Sequence, residues 1–162
     1  MASENTAGDV ARAWDLMAKI GFTMLVTQSN GKMRARPMSA HSDRNANAIY
    51  MLTDARQHKD DEIAANPNVN LSFADSSDMK YVSVSGTASV SNDRAKIKEL
   101  FSLPAKAWWD NADDPNIRVL TVTPDGAEYW DSPGTVISYV KMAVAAATGS
   151  RPEIGDNKKV SL

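Results

Sequence analysis

Met33-Arg34-Ala35-Arg36-Pro37-Met38, then Ala48-Ile49-Tyr50-Met51-Leu52-Thr53, then His58-Lys59 ahead of Asn66-Pro67, and finally Tyr81-Val82-Ser83-Val84-Ser85-Gly86-Thr87-Ala88 are the landmarks that decide the fold. The first is a basic strand. Its Pro37 cannot donate to a ladder, so the strand lies at a sheet edge or bulges there. The second is an unbroken apolar run of strand length, consistent with a central strand covered on both faces. Between Lys59 and Ala65 a short helix is expected, stopped by Asn66-Pro67. Val69, Leu71 and Phe73 then alternate with polar residues as another strand. In the last landmark Val82, Val84 and Ala88 share one face with Val90, while Tyr81, Ser83, Ser85, Thr87 and Ser89 make the other face polar throughout. A polar sheet face meets solvent, a wet interface or a ligand.

Working outward, Thr6 and Asp9 form a capping-box pattern, and Val10, Trp14 and Met17 recur at helical spacing until Gly21. Phe22, Met24 and Val26 alternate with Thr23 and Thr27, and Asn30-Gly31 supplies a hairpin turn leading into residues 33–40. Asn92 is placed to cap a helix bearing Ile97, Leu100 and Phe101, ended by Pro104. Ile117 to Val122 then runs through the turn Pro124-Asp125-Gly126 into Ala127-Glu128-Tyr129-Trp130, which predicts a final hairpin. Residues 135–148 are alanine-rich and helical in pattern, and 149–162 are polar, charged and expected to be loose. The count is about six or seven strands and about three or four helices. Short strands joined by hairpins with inserted helices favour an antiparallel barrel, mainly β within the α+β class, over a parallel α/β sheet.

Composition excludes several classes. The 162 residues, 43% hydrophobic and 23% charged, suffice for one core. A balance of 18 basic against 20 acidic residues gives no field to gather polyanions, so nucleic acid is not an expected partner. No cysteine is present, which removes disulfides, thiolate metal sites and cysteine nucleophiles, and two histidines leave little for a metal site. No run approaches the ~20 apolar residues of a membrane span. These features lead to an expectation of a cytoplasmic protein without bound metal or membrane.

Arg34 and Arg36, two apart, share a strand face, where paired guanidiniums either fork onto a phosphate or keep an exposed strand soluble. His58 and Lys59 open a helix whose free backbone donors seat anions, although Asp60, Asp61 and Glu62 oppose one; Arg56 stands close enough in sequence to assist. His41-Ser42-Asp43 has the composition of a hydrolytic triad, but such triads assemble from separate elements, and a polar loop is the simpler account. No Gly-rich dinucleotide motif occurs, and Asp113-Asp114 sit in a loop rather than as catalytic acids. Trp108, Trp109 and Trp130 offer flat faces suited to a ring system or to core packing.

The order and spacing of Arg36-Pro37-Met38, Leu52-Thr53 with Lys59, Asn66-Pro67-Asn68-Val69, Tyr81 to Ala88, Asp93-Arg94, Lys106-Ala107-Trp108-Trp109, Asp113-Asp114-Pro115 and Ala127-Glu128-Tyr129-Trp130-Asp131 resemble the general stress protein group of the pyridoxamine-phosphate-oxidase-like superfamily. These are the FMN-binding split barrels, and the likeness spans about residues 8 to 135. It implies a six-stranded antiparallel split β-barrel with flanking helices over residues 1–135, followed by a C-terminal helix and tail over 136–162. It also implies a homodimer with FMN, or alternatively FAD, in the groove between subunits. Arg36 would meet the flavin phosphate or ring edge, Pro37 and Met38 the isoalloxazine, Leu52 and Thr53 the ring and ribityl chain, and His58 and Lys59 the phosphate region. Trp109 and Trp130 would close the pocket from the partner subunit.

Departures from the family pattern bear on activity. His58 stands where an arginine precedes the lysine in the oxidase branch, and no C-terminal substrate segment of the true oxidase is recognisable. Oxidation of pyridoxamine phosphate is therefore not expected. The functions left open are an FMN-dependent oxidoreductase of unidentified substrate and catalytic group, a non-catalytic flavin carrier or sensor, and a barrel for another ligand such as a deazaflavin or tetrapyrrole.

Overall fold

The computed structural model describes residues 6–162. Helix α1 (Ala7–Ile20) starts at a full capping box, with the Thr6 hydroxyl accepting from the Asp9 amide and the Asp9 carboxylate accepting from the Thr6 amide, and it stops at left-handed Gly21. Strands β1 (Phe22–Ser29) and β2 (Lys32–Ser39) follow, joined by Asn30 and Gly31, both at positive φ as the tightest hairpin turn requires. The short β3 (His41–Asp43) pairs with β4 (Ala48–Asp54). Helix α2 (Lys59–Ala65) leads to β5 (Asn68–Asp75) and β6 (Lys80–Ser91). Then come α3 (Arg94–Leu100), β7 (Ile117–Asp131), α4 (Thr135–Thr148) and β8 (Asp156–Ser161).

All eight strands form one antiparallel sheet in the order β2-β1-β5-β6-β7-β4-β3, with β8 added to β7. Pro37 thus lies on an edge strand, as its missing donor demands. The sheet curves without closing, the architecture of a split barrel. Its pivot is β7, which runs beside β6 from Val119 to Asp131 while its first half pairs with β4 and its second half with β8. Residues 123–125 are where it changes partner. The expected hairpin at Pro124-Asp125-Gly126 is instead one continuous strand, because the turn residues are absorbed by a bulge opposite Ser85 and Gly86. A Cβ on Gly86 would stand 2.4 Å from the Thr123 carbonyl oxygen and 2.9 Å from Pro124 Cα, so only glycine fits there.

Two apolar clusters result. The larger packs Trp14, Leu16 and Met17 of α1 onto Leu25, Leu71, Phe73 and Val82. The smaller packs Ile97 and Leu100 of α3 with Ala105, Trp109, Ile117 and Val119. Three local features depart from expectation. Asp93, not Asn92, caps α3, its carboxylate accepting from the Lys96 amide at 3.0 Å. The face of β1 that is buried carries Thr23, Leu25 and Thr27, while Phe22 and Met24 are exposed. Residues 156–161, expected loose, pair with β7 as β8 and bury Val160.

Candidate functional site

Strands β2 and β4 and the segment after α3 enclose a cleft of about 570 Å³, within the ~300–1,000 Å³ span of small-molecule sites. Pro37 and Met38 reach it from β2, and Leu52 and Thr53 from β4. Leu100, Pro104, Ala105, Trp108 and Trp109 add an apolar and aromatic lining. One end is polar, where the turn between β4 and α2 brings Asp54, Arg56, Gln57 and Lys59 together.

Lys59 is the unusual member. It is 4% exposed, and its Nζ donates to the Thr53 hydroxyl at 3.2 Å and to the Gln57 side-chain carbonyl. Both partners are neutral. Among the described residues it forms no salt bridge, whereas the part-buried Lys80 is matched by Asp131 at 2.7 Å. Burial, reinforced by the nearby Arg36 charge, pulls its pKa below the ordinary lysine value. Glu62, Asp54 and Asp60 act on this ammonium only through space and none pairs with it directly, so it lacks the contact ion pair that buried charges normally have. An anion entering the cleft would supply it.

Arg36 is tied down more firmly. Its guanidinium donates to both Glu62 carboxylate oxygens, at 2.8 and 2.7 Å, and to the Thr27 hydroxyl at 2.9 Å. Arg34, on the same strand face, lies 3.5 Å from Glu62. Burial raises the Glu62 pKa, but the hydrogen bonds from Arg36 and Thr27 outweigh it and hold the carboxyl below its ordinary value. Glu62 thereby pins α2 to the β1–β2 hairpin, and the paired arginines serve this contact.

A second locked group borders the polar end. Asp54 accepts from the Arg56 Nε at 2.9 Å and Nη2 at 2.5 Å, and from the Trp109 indole at 3.3 Å. These contacts, led by Arg56, hold its carboxyl far below the usual range. The aspartate links the β4 end to a tryptophan 55 residues away. Trp109 is 8% exposed and lines the cleft of its own chain.

Of the nine residues expected to hold the cofactor, Arg36, Pro37, Met38, Leu52, Thr53, Lys59 and Trp109 line this cleft. His58 and Trp130 do not. His58 adopts a left-handed conformation, φ 55°, that turns its ring outward beside Asp61, leaving the side chain 80% exposed. Trp130 sits on β7 between Tyr81 and Asn157, 39% exposed and away from the cleft. The His41-Ser42-Asp43 string is a strand rather than a loop, and alternation separates its members: His41 lines the cleft, the Ser42 hydroxyl is buried without a partner, and Asp43 accepts from the Ala46 amide. No triad geometry exists. Among the described residues there is no cluster of His, Asp and Glu able to hold a metal, and no helix long and apolar enough to cross a membrane.

Sequence reasoning did not find His41 or Asp54 as cleft residues. The strand parity of Asp54 with Leu52 was the available signal; nothing local announced Trp109 as its partner.

Comparison with known proteins agrees with this architecture. The model of the family described as "Pyridoxamine 5'-phosphate oxidase like" matches residues 8–153. Over 108 residues the chain is 32% identical to general stress protein 26 of Bacillus subtilis (strain 168), covering 62% of this chain and 73% of that protein. A crystal structure assigned to general stress protein 26 from Jannaschia sp. CCS1 superposes with a TM-score of 0.79 at 27% identity, covering 98% of this chain and 100% of that one. The general stress FMN/FAD binding protein of Xanthomonas citri shares the fold at a TM-score of 0.66 and 22% identity, over 76% of this chain and 89% of that one. Open sheet, cleft and sequence match converge: this chain belongs to the pyridoxamine 5'-phosphate oxidase-like family, in its general stress protein group.

Proposed function

We propose that this protein binds FMN in the cleft between β2, β4 and the Trp109 segment, with FAD the alternative, and works as a flavin-dependent oxidoreductase. The observation that carries the proposal is Lys59, a buried ammonium that lines the cleft with neutral partners only. A phosphate dianion there would supply the missing counter-charge through a charge-assisted hydrogen bond. The remaining lining fits the rest of a flavin. Pro37, Met38 and Leu52 offer apolar surface to a flat ring, Trp109 offers an aromatic wall, and Thr53 offers a hydroxyl beside the phosphate end.

A bound flavin would supply hydride and electron transfer. The chain's residues position and shield it. Lys59 would orient the phosphate, and the packed Leu52, Leu100 and Trp109 would keep water from the ring. A second copy would complete the enclosure: Trp108 and Leu103 near the cleft are 77% and 80% exposed, and α4 presents Val136, Ile137, Tyr139 and Val140 to solvent. Such apolar area ordinarily marks an interface. In a homodimer, Trp130, outside its own chain's cleft, is available to reach that of the partner subunit. A non-catalytic flavin carrier is the second function consistent with the site, since Asp54, the one carboxylate lining the cleft among the described residues, is locked by Arg56 and Trp109.

Lys59→Ala tests the assignment. FMN carries the phosphate and riboflavin does not, so the substitution weakens FMN binding by about 1.5–3 kcal/mol, about ten- to hundredfold, and leaves riboflavin nearly unchanged. Equal losses for the two ligands would show that Lys59 does not meet the phosphate.

A further inference from the structure

His41 is a cleft residue whose side chain forms no hydrogen bond or ion pair among the described residues, although it is only partly exposed. Its neighbours on the chain have evident structural positions: Ser42 turns into the interior, and Asp43 caps a turn. The imidazole keeps its hydrogen-bonding capacity unspent in the cavity. Its place is fixed by the ladder, since His41 pairs with Tyr50 of β4, while Thr53, the partner of Lys59, lies three residues further along that strand. At the ordinary strand rise this is about 10 Å. The cleft therefore has a cationic end at Lys59 and, roughly three strand residues away, an end whose polar group is an imidazole.

We infer that His41 is the contact for the uncharged heterocyclic end of the ligand, hydrogen-bonding a ring carbonyl or ring nitrogen while Lys59 holds the charged tail. The inference rests on the flavin assignment and extends it, giving the site two polar anchors of different kind. Burial pulls the His41 pKa below the ordinary histidine value, so at neutral pH the ring is uncharged, with one donor and one acceptor nitrogen. Such a group suits a neutral polar heterocycle rather than a second anion. A site built to bond a ring heteroatom also discriminates against flat ligands that lack one, because its polar group would then be left unpaired.

The chain has only two histidines, so proton NMR of the imidazoles of the full-length protein, with and without FMN, isolates the effect. His58, 80% exposed and outside the cleft, is the internal control. The His41 signals shift on adding FMN and the His58 signals do not. In parallel, His41→Ala weakens FMN and riboflavin by the same factor, about five- to tenfold, unlike the phosphate-selective loss at Lys59, and His41→Gln recovers part of it through its amide. A tryptophan emission spectrum matching wild type shows that the variants are folded. If FMN binds with Lys59 dependence while the His41 signals stay still and His41→Ala binds normally, the inference fails and the flavin assignment stands. If no flavin binds the wild-type protein, both fail.

Discussion

At the scale of single residues, the site is defined by which charges are satisfied and which are not. Arg36, Arg56, Asp54 and Glu62 are all consumed by mutual ion pairs. Lys59 is left over. Asp54 has a different duty: it holds Arg56 and the Trp109 indole at once, so it sets the aromatic wall of the cleft. Asp54→Ala leaves two donors without their acceptor and lowers the unfolding free energy by about 1–3 kcal/mol, measured by denaturant titration, with tryptophan emission compared in a background where Trp14, Trp108 and Trp130 are replaced by Phe so that Trp109 alone reports. Asp54→Asn keeps an acceptor for the indole and retains more of the wild-type emission. Loss of stability without any change in tryptophan emission would show that Asp54 does not position Trp109. Much of this chemistry was legible in the sequence: Arg36-Pro37-Met38, Leu52-Thr53 and Lys59 all reach the cleft. The orientation of His58 was not, because a left-handed backbone at one residue reverses where a side chain points and leaves no mark on composition.

At the scale of elements, alternation revealed β5 and β6 and the capping box revealed α1 because each signal is local and repeats along the element. β7 departs from the expected hairpin for a physical reason. Pro124-Asp125-Gly126 has turn chemistry, but here it bends one strand as it passes from β4 to β8, and the bend is a bulge in β7 opposite Ser85 and Gly86. β8 escaped because a strand added at an edge is held by backbone pairing, and Asp156-Asn157-Lys158-Lys159-Val160-Ser161 buries only Val160. β1 inverted the usual parity, burying Thr27 because Arg36 and Glu62 satisfy its hydroxyl. The bulge makes a direct prediction. Gly86→Ala forces a Cβ against the Thr123 carbonyl and Pro124 backbone, neither of which can rotate away, and destabilises the protein by about 1–3 kcal/mol or more. A thermal midpoint equal to wild type would show that β6 and β7 do not approach so closely.

At the scale of the whole molecule, the open sheet leaves a cleft that one chain lines but does not fully cover. Trp108, Leu103 and the α4 side chains, with Met24 and the cleft-lining Phe22 of β1, leave apolar surface exposed around it, and the proposed second copy would cover that surface. On the proposed function, cofactor binding and assembly would be coupled, with Lys59 anchoring the tail and a subunit contact sealing the ring. The most direct measurement is a crystal structure of the protein grown with FMN. The account predicts the phosphate within hydrogen-bond reach of Lys59 Nζ, the ring against Met38, Leu52 and Trp109, and a second copy packed over the rim. A cleft without flavin, or a flavin whose phosphate lies away from Lys59, would contradict it.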